Sequence, residues 1–370
     1  MKTCSKTSCS TVILVWMLLC TPNYSFCLRT VASRLPTKTA RSTKQVDHLP
    51  NPPRLHPLMT ATRKLSSTLS ASSLPSQQTL VDVYPYGTCK DALLRQQKTS
   101  DNTSEGPMYT RTKVVHFIRH AQGTHNVNKE YRDVRHIDAR LTEHGEKQCQ
   151  TLAQAIQQHK DSDTSETVKH NLASVLHDTE LIVTSPLTRC IQTTLLTMDP
   201  VIATRDVPIV AHENIRETVN FNCDRRRHLS EVAQDFPQIN FGHMIHDHDA
   251  IWESYQERLG SHEEFLDHRE SAELHVVADR GRDFLQWLAQ QDQDHVVICS
   301  HCAYSRCLLN FGHEGKPPTS VEQALDTRGP DAIDVPVVRY CGDQDDFEDS
   351  IRKDFDNCEL RSVVLAFRSV

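Results

Sequence analysis

The chain has 370 residues, 38% of them apolar and 24% charged, which suits a soluble globular core with polar flanks and leaves room for one large domain or two small ones. Its formal net charge of −7 removes any global electrostatic case for nucleic acid binding. Affinity for an anion must therefore come from a local cluster of side chains.

In chain order, the first feature reads as a targeting segment. Lys2 and Lys6 precede the apolar run Thr11–Cys20 (TVILVWMLLC), and Pro22 with small or polar residues follows it. That run is short of the roughly 20 apolar residues a bilayer crossing needs. It fits the h-region of a secretory signal peptide over residues 1–27, with a buried strand or a short membrane anchor as the alternative. From Ser25 to Leu80 the bases Arg29, Arg34, Lys38, Arg41, Lys44, Arg54, Arg63 and Lys64 face a single acid, Asp47, among abundant Ser, Thr and Pro. Such a stretch buries too little apolar surface to offset chain entropy, so residues 28–108 are expected to be a disordered leader or linker. A basic, hydroxyl-rich, acid-poor stretch also matches a transit peptide, and signal plus transit would form a two-part leader into a plastid or another organelle. Secretion with a plain linker is the alternative.

Beyond the leader stand Cys89, Cys149, Cys190, Cys223, Cys299, Cys302, Cys307, Cys341 and Cys358. The number is odd and several lie inside apolar segments, unlike the even, loop-borne spacing of a disulfide framework. They read as small buried apolar residues in a reducing space.

The folded part is expected over 109–370. Lys113–Ile118 (KVVHFI) is a β-rich run ending at Arg119-His120. Thr142 then caps a helix whose apolar residues Cys149, Leu152, Ala153 and Ile156 follow helical spacing. A polar loop over 161–166 leads to a second strand at Leu181–Val183, and Pro186 opens a helix through Leu196. A third strand is expected near Val207–Ala211. Phe284, Leu285, Trp287 and Leu288 mark a further helix that runs into a fourth strand, Val296–Cys299. Another helix follows Cys302 through Leu309, and Leu360–Phe367 forms a closing strand. Strands alternating with helices predict an α/β fold: a three-layer sandwich whose mostly parallel central sheet is flanked by helices. Residues 220–269 break the alternation and read as an insertion over the sheet's edge. The acidic, irregular stretch 312–353 reads as solvated surface.

Four separated points share one arrangement. Arg119-His120 follows the first strand, Arg189 the second, Glu217 the third and His301 the fourth. Loops at the carboxyl ends of strands in an open α/β sheet converge on one crevice. Each residue type suits phosphoryl transfer, whose transition state spreads charge over equatorial oxygens that guanidinium forks can grip. A neutral imidazole can attack phosphorus, and a carboxyl group can protonate the leaving oxygen. No metal is required if the arginines supply the positive charge.

RHAQGTHN with LTEHG downstream, then SPLTRCIQTT, IRE and CSHC, resembles the histidine phosphatase superfamily, whose best known members are phosphoglycerate mutase-like enzymes. The resemblance spans most of 111–311, and NCELRSVVL at 357–365 is similar to the closing strand of eukaryotic branches. It implies His120 as nucleophile, Arg119, Arg189 and His301 as the phosphate pocket, Glu217 as proton donor, and Asn126 as a phosphate contact. It implies no cofactor and a small phosphorylated substrate. Where many members carry Gly and then a hydroxyl residue after the nucleophile, this chain has Ala121 and Gly123, with Thr124 displaced by one. Glu213, four residues before Glu217, is the other candidate donor. Arg226, in the run Arg225-Arg226-Arg227, could contact a second anionic group of the substrate, or the run could be an exposed basic patch. His243, His246 and His248 with Asp247 and Asp249 have metal-ligand chemistry but lack Cys partners, and no metal site is expected there. The resulting expectation is a phosphomonoesterase, with mutase-type transfer or a non-catalytic phosphate-binding scaffold as the alternatives. No nucleic acid partner and no stable membrane insertion after leader removal are expected, and a homodimer is left open.

Overall fold

Seven strands among the described residues form one sheet: β1 (Leu80–Pro85), β2 (Arg111–Arg119), β3 (Leu181–Thr184), β4 (Ile209–Ala211), β5 (His295–Ser300), β6 (Arg339–Tyr340) and β7 (Leu360–Arg368). The computed structural model describes residues 80–89, 93, 109–159, 165–313, 334–342 and 346–368. All of them lie in one compact unit, Ala71–Val370. The expected signal segment and the basic stretch up to residue 79 lie outside the described residues.

The sheet order is β4-β3-β5-β2-β7-β1-β6. The first four strands run parallel, and β7 inserts antiparallel to both β2 and β1. Strands buried on both faces are rich in apolar residues, as in Val114-Val115 and Phe117-Ile118 of β2 and Val296–Cys299 of β5; β3 and β4 are buried at every position. On one face Val115, Phe117, Val183, Val296, Ile298, Val363 and Leu365 pack against Phe284, Leu285, Leu288 and Leu308. On the other, Ile118, Ile182, Val297 and Cys299 pack against Ile156, Leu172, Val175 and Ile191. Each such side chain contributes about 1.5–3 kcal/mol of burial. The result is the expected α/β sandwich with helices on both faces.

The helices that matter for the site are α1 (Glu143–Gln157), α2 (Glu166–Asp178), α3 (Thr188–Thr197), α4 (Ala250–Leu259), α5 (Leu274–Gln290) and α6 (Cys302–Asn310). Thr142 caps α1 as expected, its Oγ1 accepting the Gly145 amide at 3.0 Å. No helix among the described residues is long and apolar enough to cross a membrane.

Two expectations need correction. The leader was expected to be disordered through residue 108, but β1 is a full member of the sheet from Leu80, pairing with β7 and β6. Its single acid is Asp82. In the fold it is buried and neutralised by Arg339 at 2.8 Å and Arg368 at 2.6 Å, with the Tyr109 hydroxyl donating at 2.6 Å. These partners lie up to 286 residues away, beyond any local pattern. The stretch 312–353 is likewise not all irregular surface, since Arg339–Tyr340 adds β6 and Phe347–Arg352 forms a helical turn.

The insertion does cover an edge: Asn240 bridges to Val210 of the edge strand β4. Its anchor is buried Arg216, held by Asp249 at 2.7 and 2.8 Å. The nine cysteines beyond the leader are all free. Six are buried, which agrees with their reading as small apolar residues, whereas Cys89 is exposed and Cys302 and Cys341 are half-buried.

Candidate active site

Strand register brings the sequence points together. Arg119 pairs with Ser300, and Thr184 pairs with both Cys299 and Ala211. The chain segments that begin at His120, Ser185, His212 and His301 therefore leave adjacent strands at nearly one level, at their carboxyl ends.

His120 is buried, and its Nδ1 lies 2.7 Å from the Ala121 carbonyl oxygen. A carbonyl can only accept, so Nδ1 carries the proton and the free lone pair sits on Nε2. Several neighbours fix this loop. The Ala121 amide donates to Thr193 Oγ1 of α3 at 3.0 Å, Asn357 Nδ2 donates to the His120 carbonyl at 3.0 Å, and the Gln122 amide donates to Gln148 Oε1 of α1 at 2.9 Å. The LTEHG glycine explains the tight seat of α1, because a Cβ on Gly145 would strike the Gln122 carbonyl.

Arg189 is wholly buried in the first turn of α3. Its Nη1 donates to the Cys223 carbonyl at 2.6 Å and its Nη2 meets Asp224 Oδ1 at 3.3 Å. Arg119 donates from Nη1 to the Phe355 carbonyl at 2.5 Å. In both arginines Nε is buried without a protein acceptor. Leaving a buried guanidinium donor unpaired costs about 1–3 kcal/mol or more, which an acceptor reaching either Nε would relieve; Nε of Arg216, Arg226 and Arg269 likewise lacks a hydrogen-bond acceptor.

His301 caps α6, and its ring centroid lies 5.0 Å from that of His120. Its Nε2 is 2.8 Å from Ser185 Oγ. Glu217 sits on the amino end of the same helix: Oε1 accepts the Tyr304 amide at 2.9 Å and Oε2 lies 3.4 Å from the Ala303 amide. Its loop is pinned from behind by the buried pair Arg280–Glu270, with Glu270 Oε2 accepting the Val219 amide at 2.7 Å. Glu213, by contrast, is occupied by Arg216 at 2.6 Å and Arg226 at 3.4 Å. Of the two candidate carboxylates, Glu217 is the one built into the strand-end cluster.

Burial, then the charges of Arg189 and Arg119, holds the His120 ring well below the ordinary imidazole value. Burial, then Arg189 and His120, does the same for His301. Both imidazoles are neutral in mildly acidic to neutral solution. An arrangement of neutral imidazoles, permanently charged forks and one carboxylate is suited to in-line attack on phosphorus and to holding the charge that develops.

Three expected contacts sit differently. Thr124 Oγ1 is engaged by His136 Nδ1 at 2.9 Å, and Asn126 Oδ1 accepts the Gly123 amide at 2.9 Å, closing the turn after the nucleophile. Arg226 is corrected from substrate contact to scaffold: its buried Nη atoms donate to the carbonyls of Arg227, Asp247, His246 and His248. Four main-chain carbonyls of the insertion, with Glu213 at 3.4 Å, hold that fork in the scaffold. Arg227 is likewise paired, with Asp138 and Asp235. Among the described residues no group of three or more His, Cys, Asp or Glu is arranged to hold a metal ion. Asp249 is committed to Arg216, and the His243 ring lies 5.3 Å from that of Trp287.

Residues that sequence reasoning missed are His125, Asp224 and Asn357. The buried His125 ring lies 5.8 Å from His120 and leans on Gly123, where a Cβ would meet it at 2.7 Å. Its one signal was the second His of the RHAQGTHN run.

The fold and the strand-end cluster define a class: α/β enzymes that transfer phosphoryl groups. The sequence profile of the histidine phosphatase superfamily (branch 1) matches residues 115–324, more than half of the chain, and the chain belongs to that superfamily. It is 27% identical over 289 residues to a phosphoglycerate mutase-like protein of Arabidopsis thaliana, covering 70% of this chain and 86% of the relative. Phosphoglycerate mutase-like protein 1 of the same plant is 27% identical over 292 residues, covering 70% and 83%. Among solved structures, a mycobacterial glucosyl-3-phosphoglycerate phosphatase is similar at 15% identity with a TM-score of 0.33, covering 69% of this chain and 91% of that chain. The chain is thus an enzyme of phosphoryl transfer on small phosphorylated substrates.

Proposed function

We propose that the enzyme is a phosphomonoesterase for a small phosphorylated metabolite, working through a phosphohistidine on His120. The reading is carried by one observation: two buried guanidinium Nε donors lacking protein acceptors belong to the same cluster as two neutral imidazoles 5.0 Å apart. In the first step His120 Nε2 forms a bond to phosphorus as the ester P–O bond breaks. Glu217, as general acid, gives a proton to the leaving oxygen. In the second step water attacks the phosphohistidine, the N–P bond breaks, and Glu217 takes the water's proton. Phosphate is released and the enzyme is restored. Arg119, Arg189 and His301 hold the phosphoryl oxygens through both steps.

The test is rapid quench with a labelled ester followed by peptide mapping, on native enzyme and His120→Ala. Label on His120, with turnover lost in the variant, is the expected result; full turnover by His120→Ala overturns the mechanism. Conversion of 3- to 2-phosphoglycerate without phosphate release would make the enzyme a mutase instead. Binding of phosphate without cleavage of any ester in a broad panel would make it a scaffold. The leader reading adds that residues 1–79 direct the enzyme into the secretory route and an organelle; a fluorescent fusion of that segment left in the cytosol would sink it.

A further inference from the structure

Asp224 is buried beside Arg189 and takes no part in the two steps above. Its Oδ1 lies 3.3 Å from Arg189 Nη2, and its Oδ2 accepts the amides of Phe221 at 3.0 Å and Asn220 at 3.3 Å. The preceding residue holds the other prong, the Cys223 carbonyl accepting Arg189 Nη1 at 2.6 Å. Arg216 Nη2 donates to the Asp224 carbonyl at 2.6 Å, tying the turn to the Arg216–Asp249 anchor. One rigid turn from the insertion therefore takes one N–H from each outer nitrogen of a buried arginine, and its Nε has no protein acceptor.

We propose that Asp224 is a positioning residue that aims Arg189 and sets the charge of the anion pocket, so that a dianion is held more tightly when this carboxyl is neutral. The proposal rests on the phosphoryl-transfer pocket described above, but its test needs no turnover. The charged and titratable groups facing Asp224 are Arg189 of α3, Glu217 from the loop after β4, Tyr131 from the loop after β2, and the adjacent Cys223 thiol. Burial raises the Asp224 carboxyl to about 6, with Arg189 opposing and Glu217 adding to the rise. The rings of His120, His125 and His301 stay neutral across the same range because burial lowers them. Asp224 then gains a proton as the solution becomes mildly acidic, while those rings do not. A carboxylate next to a bound dianion repels it, so by linkage dianion affinity must rise as pH falls through this range.

Sulfate is the probe, because it stays dianionic throughout. Calorimetric titration of the native enzyme from about pH 8 to about pH 5 should show affinity rising on the order of tenfold, equivalent to one unit of coupling. Asp224→Asn should abolish that slope. The amide is uncharged throughout, so this variant should hold sulfate at about the affinity the native enzyme reaches at about pH 5. Asp224→Glu should restore a slope with a displaced midpoint. A flat native profile, no measurable sulfate binding, or an undiminished slope in Asp224→Asn overturns the proposal. Should Asp224→Asn fail a melting check, the glutamate variant decides: an unmoved midpoint refutes the assignment. Sulfate binding with the expected slope, but no label on His120, would sink the phosphatase reading and leave this inference standing.

Discussion

Replacing Arg189 by lysine separates charge from geometry, since lysine keeps the positive charge and loses the fork. The guanidinium now spends one N–H of Nη1 on the Cys223 carbonyl and one of Nη2 on Asp224, which leaves Nε and the second N–H of each Nη for a phosphoryl group. A single ammonium cannot hold that turn and also meet two phosphoryl oxygens. Each charge-assisted hydrogen bond is worth about 1.5–3 kcal/mol, so losing a forked contact in the transition state removes about 3–6 kcal/mol. At about 1.36 kcal/mol per decade, kcat/KM for an aryl phosphate should fall by about two to four decades. The buried Cys223 carbonyl also loses its donor, which costs about 1–3 kcal/mol of stability and should lower the melting temperature. Steady-state kinetics beside a circular dichroism melt separates the two effects. A folded Arg189→Lys enzyme that keeps kcat/KM within about threefold of native would show that Arg189 does not grip the reacting group.

Glu217→Gln should slow alkyl phosphates by about two to four decades while leaving nitrophenyl phosphate much less affected, because the better leaving group needs no proton; equal losses on both would remove Glu217 from the donor role. Since burial lowers the His120 ring, its Nε2 lone pair remains free on mild acidification, and phosphoenzyme formation at saturating substrate should stay flat from about pH 7.5 to about pH 5.5. A stopped-flow profile that halves near an ordinary imidazole value contradicts this. Asp249→Ala strips wholly buried Arg216 of its bidentate partner, leaving Glu213 as its one carboxylate. Breaking a buried pair costs about 3–5 kcal/mol at most here, since Glu213 remains, readable as a lower denaturant midpoint, and a loss below about 1 kcal/mol would mean the insertion is anchored elsewhere.

Much of this molecule is local in origin. Apolar-rich runs such as Val114–Ile118 and Val296–Cys299 become central parallel strands, because a strand buried on both faces favours apolar side chains, and the buried His116 ring meets the Ser362 hydroxyl through Nδ1. Thr142 and the spacing of Cys149, Leu152 and Ile156 specify α1 without tertiary help. The order of Arg119-His120, Arg189, Glu217 and His301 after successive strands was enough to foresee one crevice, since strand ends converge whatever the loops between them do.

Tertiary structure alone decided the rest. β1 joins the sheet with Asp82 neutralised by Arg339 and Arg368, 257 and 286 residues away. Glu213 and Glu217 are the same residue type four positions apart, and they diverge because Arg216 and Arg226 claim one while the α6 amides receive the other. Arg226 looked free for a substrate until the insertion folded its own carbonyls around it. Asp224 carried no motif that marked it, yet it meets the arginine of another helix. Local sequence dictates periodicity, caps and chain order, whereas the partner of a buried charge is set by which distant segments are packed against it, and that pairing is written only in three dimensions.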